Sequence, residues 1–484
     1  CSTPVLSNMG TTRGLPVSCS GQVIGDSIHS FYSSLHETAM LTKNGFGTAG
    51  YLGDIRPRGS KISIGGKSSG TMPVFRKFVQ AMRDVSQGTA RRGAWAGYLP
   101  MDHGDFDEIA DYVKENPDDA NLGWVIRDSD MDSLELGFEE AERRFQKMLK
   151  LKCLTGKGYF FFPDKANRRR PKMYVDRGLE VKTSQLCSEI MLYSDADQHT
   201  YTCVLSSMNL AHYDEWKDTD AVQTATVFLD CVASEFVERA KEIPALHKAV
   251  RFTEKSRALG LGVCGFHTYL QKNMIAFESL AANFANQQIF KHIDDESLIA
   301  SKWMAENWGE PEWCVGYGVR NTHRMAIAPT MSTALIMGGV SQGIEPVIGN
   351  CFIQASAAGE QERINPVFLD LMKARGKYTR KLVKEIAEKH GSVQHLDWLT
   401  DDERMVFKTA FEINQEVILR LASIRQKYID QGQSLNLFFS AEESEENIAR
   451  IHQIAFEDEG ILSLYYLRTQ AGVSASNGEC IACQ

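Results

Sequence analysis

The chain has 484 residues, 43% hydrophobic and 24% charged, enough for one large core or two to three domains. Its 53 basic and 62 acidic side chains leave a formal charge of −9, which excludes DNA or RNA as a bulk partner, so any phosphate must be held by local donors. No run approaches the roughly 18 uncharged apolar residues of a membrane span, and eleven cysteines without a signal peptide point to a reducing, cytoplasmic setting rather than a disulfide framework.

The chain opens on Cys1 and a strand-like Ser2-Thr3-Pro4-Val5-Leu6, as if inside a fold. Glycine-dense stretches at 45–53, 65–70 and 88–97 predict short strands joined by ligand-facing loops. Helical periodicity follows over 106–114 and 134–151, then a buried strand over 159–162 and a solvated turn at the arginines of 168–171. Long amphipathic helices are expected over 218–242, 276–306 and 402–428, with short strands at 325–329 and 435–439. Strand and helix alternate throughout, which defines an α/β protein, with residues 1–470 as one catalytic domain and 471–484 as a flexible tail.

Within 183–190 the order Thr-Ser-Gln-Leu-Cys-Ser-Glu-Ile sets an amide, a thiol and a carboxyl at Gln185, Cys187 and Glu189. In an extended segment all three would project from one face. A thiol beside a carboxyl suits thiolate chemistry, sulfur-radical chemistry or a plain buried cysteine, and these residues alone do not choose. The glycines of 260–265 spell a dinucleotide fingerprint, but a charged, helix-like segment precedes them, so a closely packed glycine-bearing helix is the better reading. Residues 65–70 end like a phosphate loop, yet Lys61 stands where its first glycine belongs. Cys480 and Cys483 have no second ligand pair for zinc and read as an exchangeable dithiol, so no metal site is expected.

Five segments in order resemble the catalytic large subunit of ribonucleotide reductase, of the aerobic two-subunit class. They are Ser2-Thr3-Pro4 with Ser18-Cys19, residues 184–190, Cys203 to Leu210, residues 328–334, and Tyr465-Tyr466 with the Cys480/Cys483 tail. The resemblance implies a ten-stranded α/β barrel of two parallel five-stranded halves, ringed by helices, with a central finger loop. It implies a thiyl radical at Cys187, Glu189 as base, Gln185 as an amide to the substrate, and Cys19 with Cys203 as the reducing pair. Gln185 departs from the family's more usual Asn by one methylene, which re-aims that hydrogen bond.

Tyr465 and Tyr466 would relay the radical from a metal-containing small subunit, and Cys480 and Cys483 would pass electrons from a thioredoxin- or glutaredoxin-like dithiol. Substrate contacts fall on Thr3, Ser18, Gly47, Pro329, Thr330, Met331, Ser332 and Thr333. A nucleoside triphosphate effector would meet Asp26, Arg56 and residues 61–70 at a homodimer interface, with Gln87, Arg91 and Arg92 on the reporting loop. No cofactor is held permanently. The family's N-terminal helical section and ATP cone do not precede Cys1, so no overall activity site is expected and an upstream piece is implied. Two other readings stand: a cobalamin-dependent reductase, against which the tyrosine pair argues, and a nucleotide-binding fragment inactive without that piece.

Overall fold

Parallel strands covered on both faces favour apolar and small residues, and segments rich in them, with a few buried polar side chains such as Gln22 and Thr48, build the centre of the fold. The computed structural model describes residues 1–87, 91–356 and 359–470. Its main strands are β1 (Cys19–Val23), β2 (Gly47–Tyr51), β3 (Trp95–Pro100), β4 (Asn121–Val125), β5 (Tyr159–Phe161), β6 (Tyr201–Asn209), β7 (Leu259–Cys264) and β8 (Ser463–Leu464). From β1 to β5 each strand pairs in parallel with the next. A second parallel set starts with β6 and β7. Antiparallel seams, β1 against β6 and β5 against β8, join the two sets.

Two irregular segments close the ring. Residues 323–327 bond to β7 through Leu259 N–H to His323 O and Ala326 N–H to Leu261 O, and 431–435 bond to them through Ile327 N–H to Gly432 O and Ser434 N–H to Ile327 O. Tyr465 N–H then reaches Leu435 O at 2.8 Å, bringing the ring back to β8. Eight strands and two strand-like segments thus make the expected ten-stranded barrel of two five-membered halves, surrounded by helices.

The glycines of β7 serve this closure. A Cβ at Gly260 would sit 2.4 Å from Leu205 Cδ2 and 3.0 Å from Cys203 Sγ, and one at Gly262 would meet Ala326 O at 2.5 Å. The second contact is with backbone and cannot be relieved by a rotamer change. Gly262→Ala is expected to destabilise the fold by about 1–3 kcal/mol, seen as a lower midpoint in urea denaturation.

Three helices follow their periodicity: Phe106–Glu115, Ala221–Ala240 and Leu280–Trp308. Other expectations are corrected. Residues 260–265 are not a helix but mostly the strand β7, leading into the helix Phe266–Lys272. The strand expected at Ser2 to Leu6 is the helix Thr3–Asn8, whose Pro4 lies in the first turn where its missing N–H costs nothing. The stretch 134–151 divides between Asp128–Glu135 and Glu139–Thr155, because Gly137 at φ 69° turns the chain. The single helix expected over 402–428 divides into Asp401–Val406 and Gln415–Arg425, the second started by Asn414 accepting from Glu416 N–H. Arg168, expected in a bare turn, ends the helix Pro163–Arg169 and pairs with Asp128 and Glu459.

Candidate active site

Residues 183–190 run through the barrel interior and are buried throughout. Their path is not the extended one expected. Gln185 Oε1 accepts from Cys187 N–H at 2.9 Å, Ser188 N–H reaches Gln185 O at 3.2 Å, and Ser188 takes the left-handed φ of 67°. A side-chain amide that bonds the backbone two residues on favours a turn over a strand, and here it wins. Gln185 therefore folds back into the loop instead of joining the other two residues at the cavity. Its Nε2 is buried without a well-formed hydrogen bond, although it lies near enough to Glu189 to hold that carboxyl's pKa down slightly.

Cys187 and Glu189 line a cavity that opens to solvent. Thr3, Ser18 and Cys19 line it as well, as do Pro329, Thr330, Met331, Ser332 and Thr333. Thr330 to Thr333 pass from a loop into the helix Met331–Ile336, and the first amides of a helix have no partner within it, which suits an anion. Gly47 is corrected: it is not among the lining residues but stands opposite Cys19 in β2, its N–H on Ser18 O at 2.8 Å. Among the described residues no Lys, Arg or His lines the cavity.

Burial pushes the Glu189 carboxyl up to about 7, against a hydrogen bond from Ser434 Oγ at 2.7 Å that favours its charged form. Cys19 and Cys203 are directly opposite in the antiparallel β1–β6 pair, where Cα atoms are about 4.5–5.5 Å apart, within the range a disulfide needs. Burial raises the Cys203 thiol well above the ordinary cysteine range, and Gln431 Nε2 donates to its sulfur at 3.5 Å.

Tyr465 follows β8 directly, and its hydroxyl donates to Cys187 Sγ at 3.5 Å. The Tyr465 and Tyr466 rings lie 4.1 Å apart, and Tyr159 packs against both, its hydroxyl 3.3 Å from that of Tyr466. Away from this centre, Asp26 and Arg56 form a 2.5 Å ion pair, and Gln87 pairs with Arg91 in a short hairpin that also holds Arg92. Cys480 and Cys483 lie outside the described residues. Sequence reading missed Tyr98, whose hydroxyl donates to Gln185 O at 2.6 Å, and also Tyr159, Gln431 and Ser434. None of these carries a motif; each reaches the finger loop or its partners only through the closed ring.

A closed ten-stranded α/β barrel with a cysteine loop inside and a cysteine pair on adjacent strands defines an oxidoreductase built around thiols. The chain belongs to the ribonucleotide reductase family, whose barrel-domain model matches residues 17–139, 137–314 and 312–467. It is similar to the class Id ribonucleotide reductase alpha subunit of Actinobacillus ureae, with a TM-score of 0.90 and 42% identity over 98% of this chain and 88% of that one. A Frog virus 3 (isolate Goorha) chain named as a ribonucleoside-diphosphate reductase large subunit is 34% identical, over 100% of this chain and 90% of that one. The ribonucleoside-diphosphate reductase large subunit of Invertebrate iridescent virus 3 is 30% identical, over 97% and 85%. The protein is thus an enzyme that reduces ribonucleoside diphosphates to 2′-deoxyribonucleotides.

Proposed function

We propose that this reduction runs through a thiyl radical at Cys187, supplied along Tyr466 and Tyr465 by a separate radical-generating small subunit. The observation that carries it is the Tyr465 hydroxyl on Cys187 Sγ, in a cavity whose described lining has no cationic side chain to favour a thiolate. The thiyl takes the C3′ hydrogen, becoming a thiol, while Glu189 accepts the proton of the 3′-hydroxyl. The 2′-hydroxyl leaves as water, and the Cys19 and Cys203 thiols supply two electrons and two protons as they become a disulfide. Cys187 returns its hydrogen to C3′ and is a radical again, as Glu189 gives its proton back to the 3′-oxygen.

Cys480 and Cys483 would restore the pair by thiol–disulfide exchange with a thioredoxin- or glutaredoxin-like protein. A nucleoside triphosphate at Asp26 and Arg56 would set substrate choice through the Gln87, Arg91 and Arg92 loop. The test is CDP reduction by the purified chain mixed with class I radical subunits, compared with the chain plus adenosylcobalamin. Turnover only with a radical subunit is expected, and turnover only with the corrinoid would overturn the relay.

With Glu189 as base, the ionised carboxyl is the active form. Its pKa stands raised to about 7, so kcat/KM should climb as pH rises through about 7 and level off above it. Glu189→Gln should remove that limb together with nearly all activity.

A further inference from the structure

Ser434 carries one hydroxyl proton and faces two acceptors. Its Oγ is 2.7 Å from Glu189 Oε2 and 2.6 Å from the backbone carbonyl of Cys187. The residue is buried, 3% exposed. It is also held firmly: Ser434 N–H bonds Ile327 O at 2.9 Å, Gly432 N–H bonds Glu189 O at 2.8 Å, and Gln431 Oε1 accepts from Met191 N–H at 3.2 Å. A Cβ at Gly432 would sit 2.5 Å from Met191 Cε and 3.1 Å from Glu189 O, so a glycine is what lets the two segments approach.

We infer that Ser434 is a positioning residue that couples the protonation state of Glu189 to the backbone of Cys187 by reversing the direction of one hydrogen bond. With Glu189 ionised, the Ser434 proton points at the carboxylate, and the Cys187 carbonyl faces an oxygen lone pair. With Glu189 protonated, its O–H donates to Ser434 Oγ, and the Ser434 proton turns to the Cys187 carbonyl, satisfying both contacts. Proton uptake by Glu189 during the reaction would then tighten the loop that carries the sulfur. The O–H bond of the 3′-hydroxyl breaks as that of Glu189 forms, while Ser434 keeps its own proton and its hydroxyl only rotates.

The other titratable groups facing Glu189 do not supply this link. They are Tyr98 on β3, Tyr201 and Cys203 on β6, with Cys1, Cys19 and Cys187 around the cavity. Burial raises Tyr98, Tyr201 and Cys203 well above their ordinary ranges, so those three stay neutral at pH 7. Sequence separation hides the contact, since Ser434 and Glu189 are 245 residues apart.

The inference rests on the proposed roles of Glu189 and Cys187, but its test needs no turnover. The carboxyl C=O infrared band of Glu189, identified by its loss in Glu189→Gln, is titrated with pH in the intact chain. The wild-type midpoint is expected near 7. Ser434→Ala, which removes the donor to the anion, should move it up by about one unit, and Ser434→Thr should return it. Ser434→Cys, close in volume and a weak donor, gives a second reading should the alanine variant not fold, with a shift in the same direction. An unchanged midpoint in the folded Ala or Cys variant would overturn the coupling, whereas loss of the radical reading would leave these titrations as they are.

Discussion

Cys187→Ala is expected to abolish ribonucleotide reduction, lowering turnover by at least about three orders of magnitude, because no other route removes the C3′ hydrogen. In the proposed mechanism the thiol acts in the chemistry and does not hold the nucleotide, so substrate affinity should stay within about threefold. The fold should also survive. Cys187 is buried in a turn fixed by Gln185 Oε1, Ser188 N–H and Ser434 Oγ, and all three bonds use backbone atoms that alanine keeps. Equilibrium binding and steady-state assays with a radical subunit check both halves. Residual turnover above a few percent of wild type would take Cys187 out of the radical role.

The meeting of a thiol and a carboxyl at the central cavity was legible because it is local. Cys187 and Glu189 are two residues apart, and both line the cavity. Their route there was not legible, since the argument from strand alternation ignored the side-chain amide of Gln185 competing for the backbone. In the first parallel half, β2, β5 and the start of β3 fall in glycine-dense or apolar stretches that read as strands, but β1 and β4 do not stand out by pattern, and β7 was mistaken for a helix because its glycines answer to Cys203 and Ala326, neighbours invisible along the chain. Residues 325–327 fall within the stretch 325–329 that the pattern marks as a strand, whereas 431–434 carry no such pattern and act as a strand only once residues 323–327 and Tyr465 supply partners. Ser434 and Gln431 were missed for that reason: they reach the site through ring closure, not through any motif.

Tyr465→Phe is expected to silence turnover driven by a radical subunit as fully as Cys187→Ala, but for a different reason. The ring would remain, packed 4.1 Å from Tyr466 and 4.7 Å from Tyr159, and Lys152 Nζ would still bond the backbone carbonyl of residue 465. Aromatic packing contributes most of the stabilisation at such a site, so the melting temperature should change by only a few degrees, about what one lost hydrogen bond produces. What disappears is the O–H that meets Cys187 Sγ at 3.5 Å, and a phenyl ring has no proton to release as it is oxidised. The variant should therefore bind nucleotide and keep Cys19 and Cys203 reduced after mixing with substrate and a radical subunit, as counted by thiol alkylation and mass spectrometry. A burst of Cys19–Cys203 disulfide in this variant would sink the relay and return Tyr465 to a packing role. Disulfide formed only when adenosylcobalamin replaces the radical subunit would move the chain to the cobalamin-dependent reading, in which Cys187 is oxidised without passing through tyrosine.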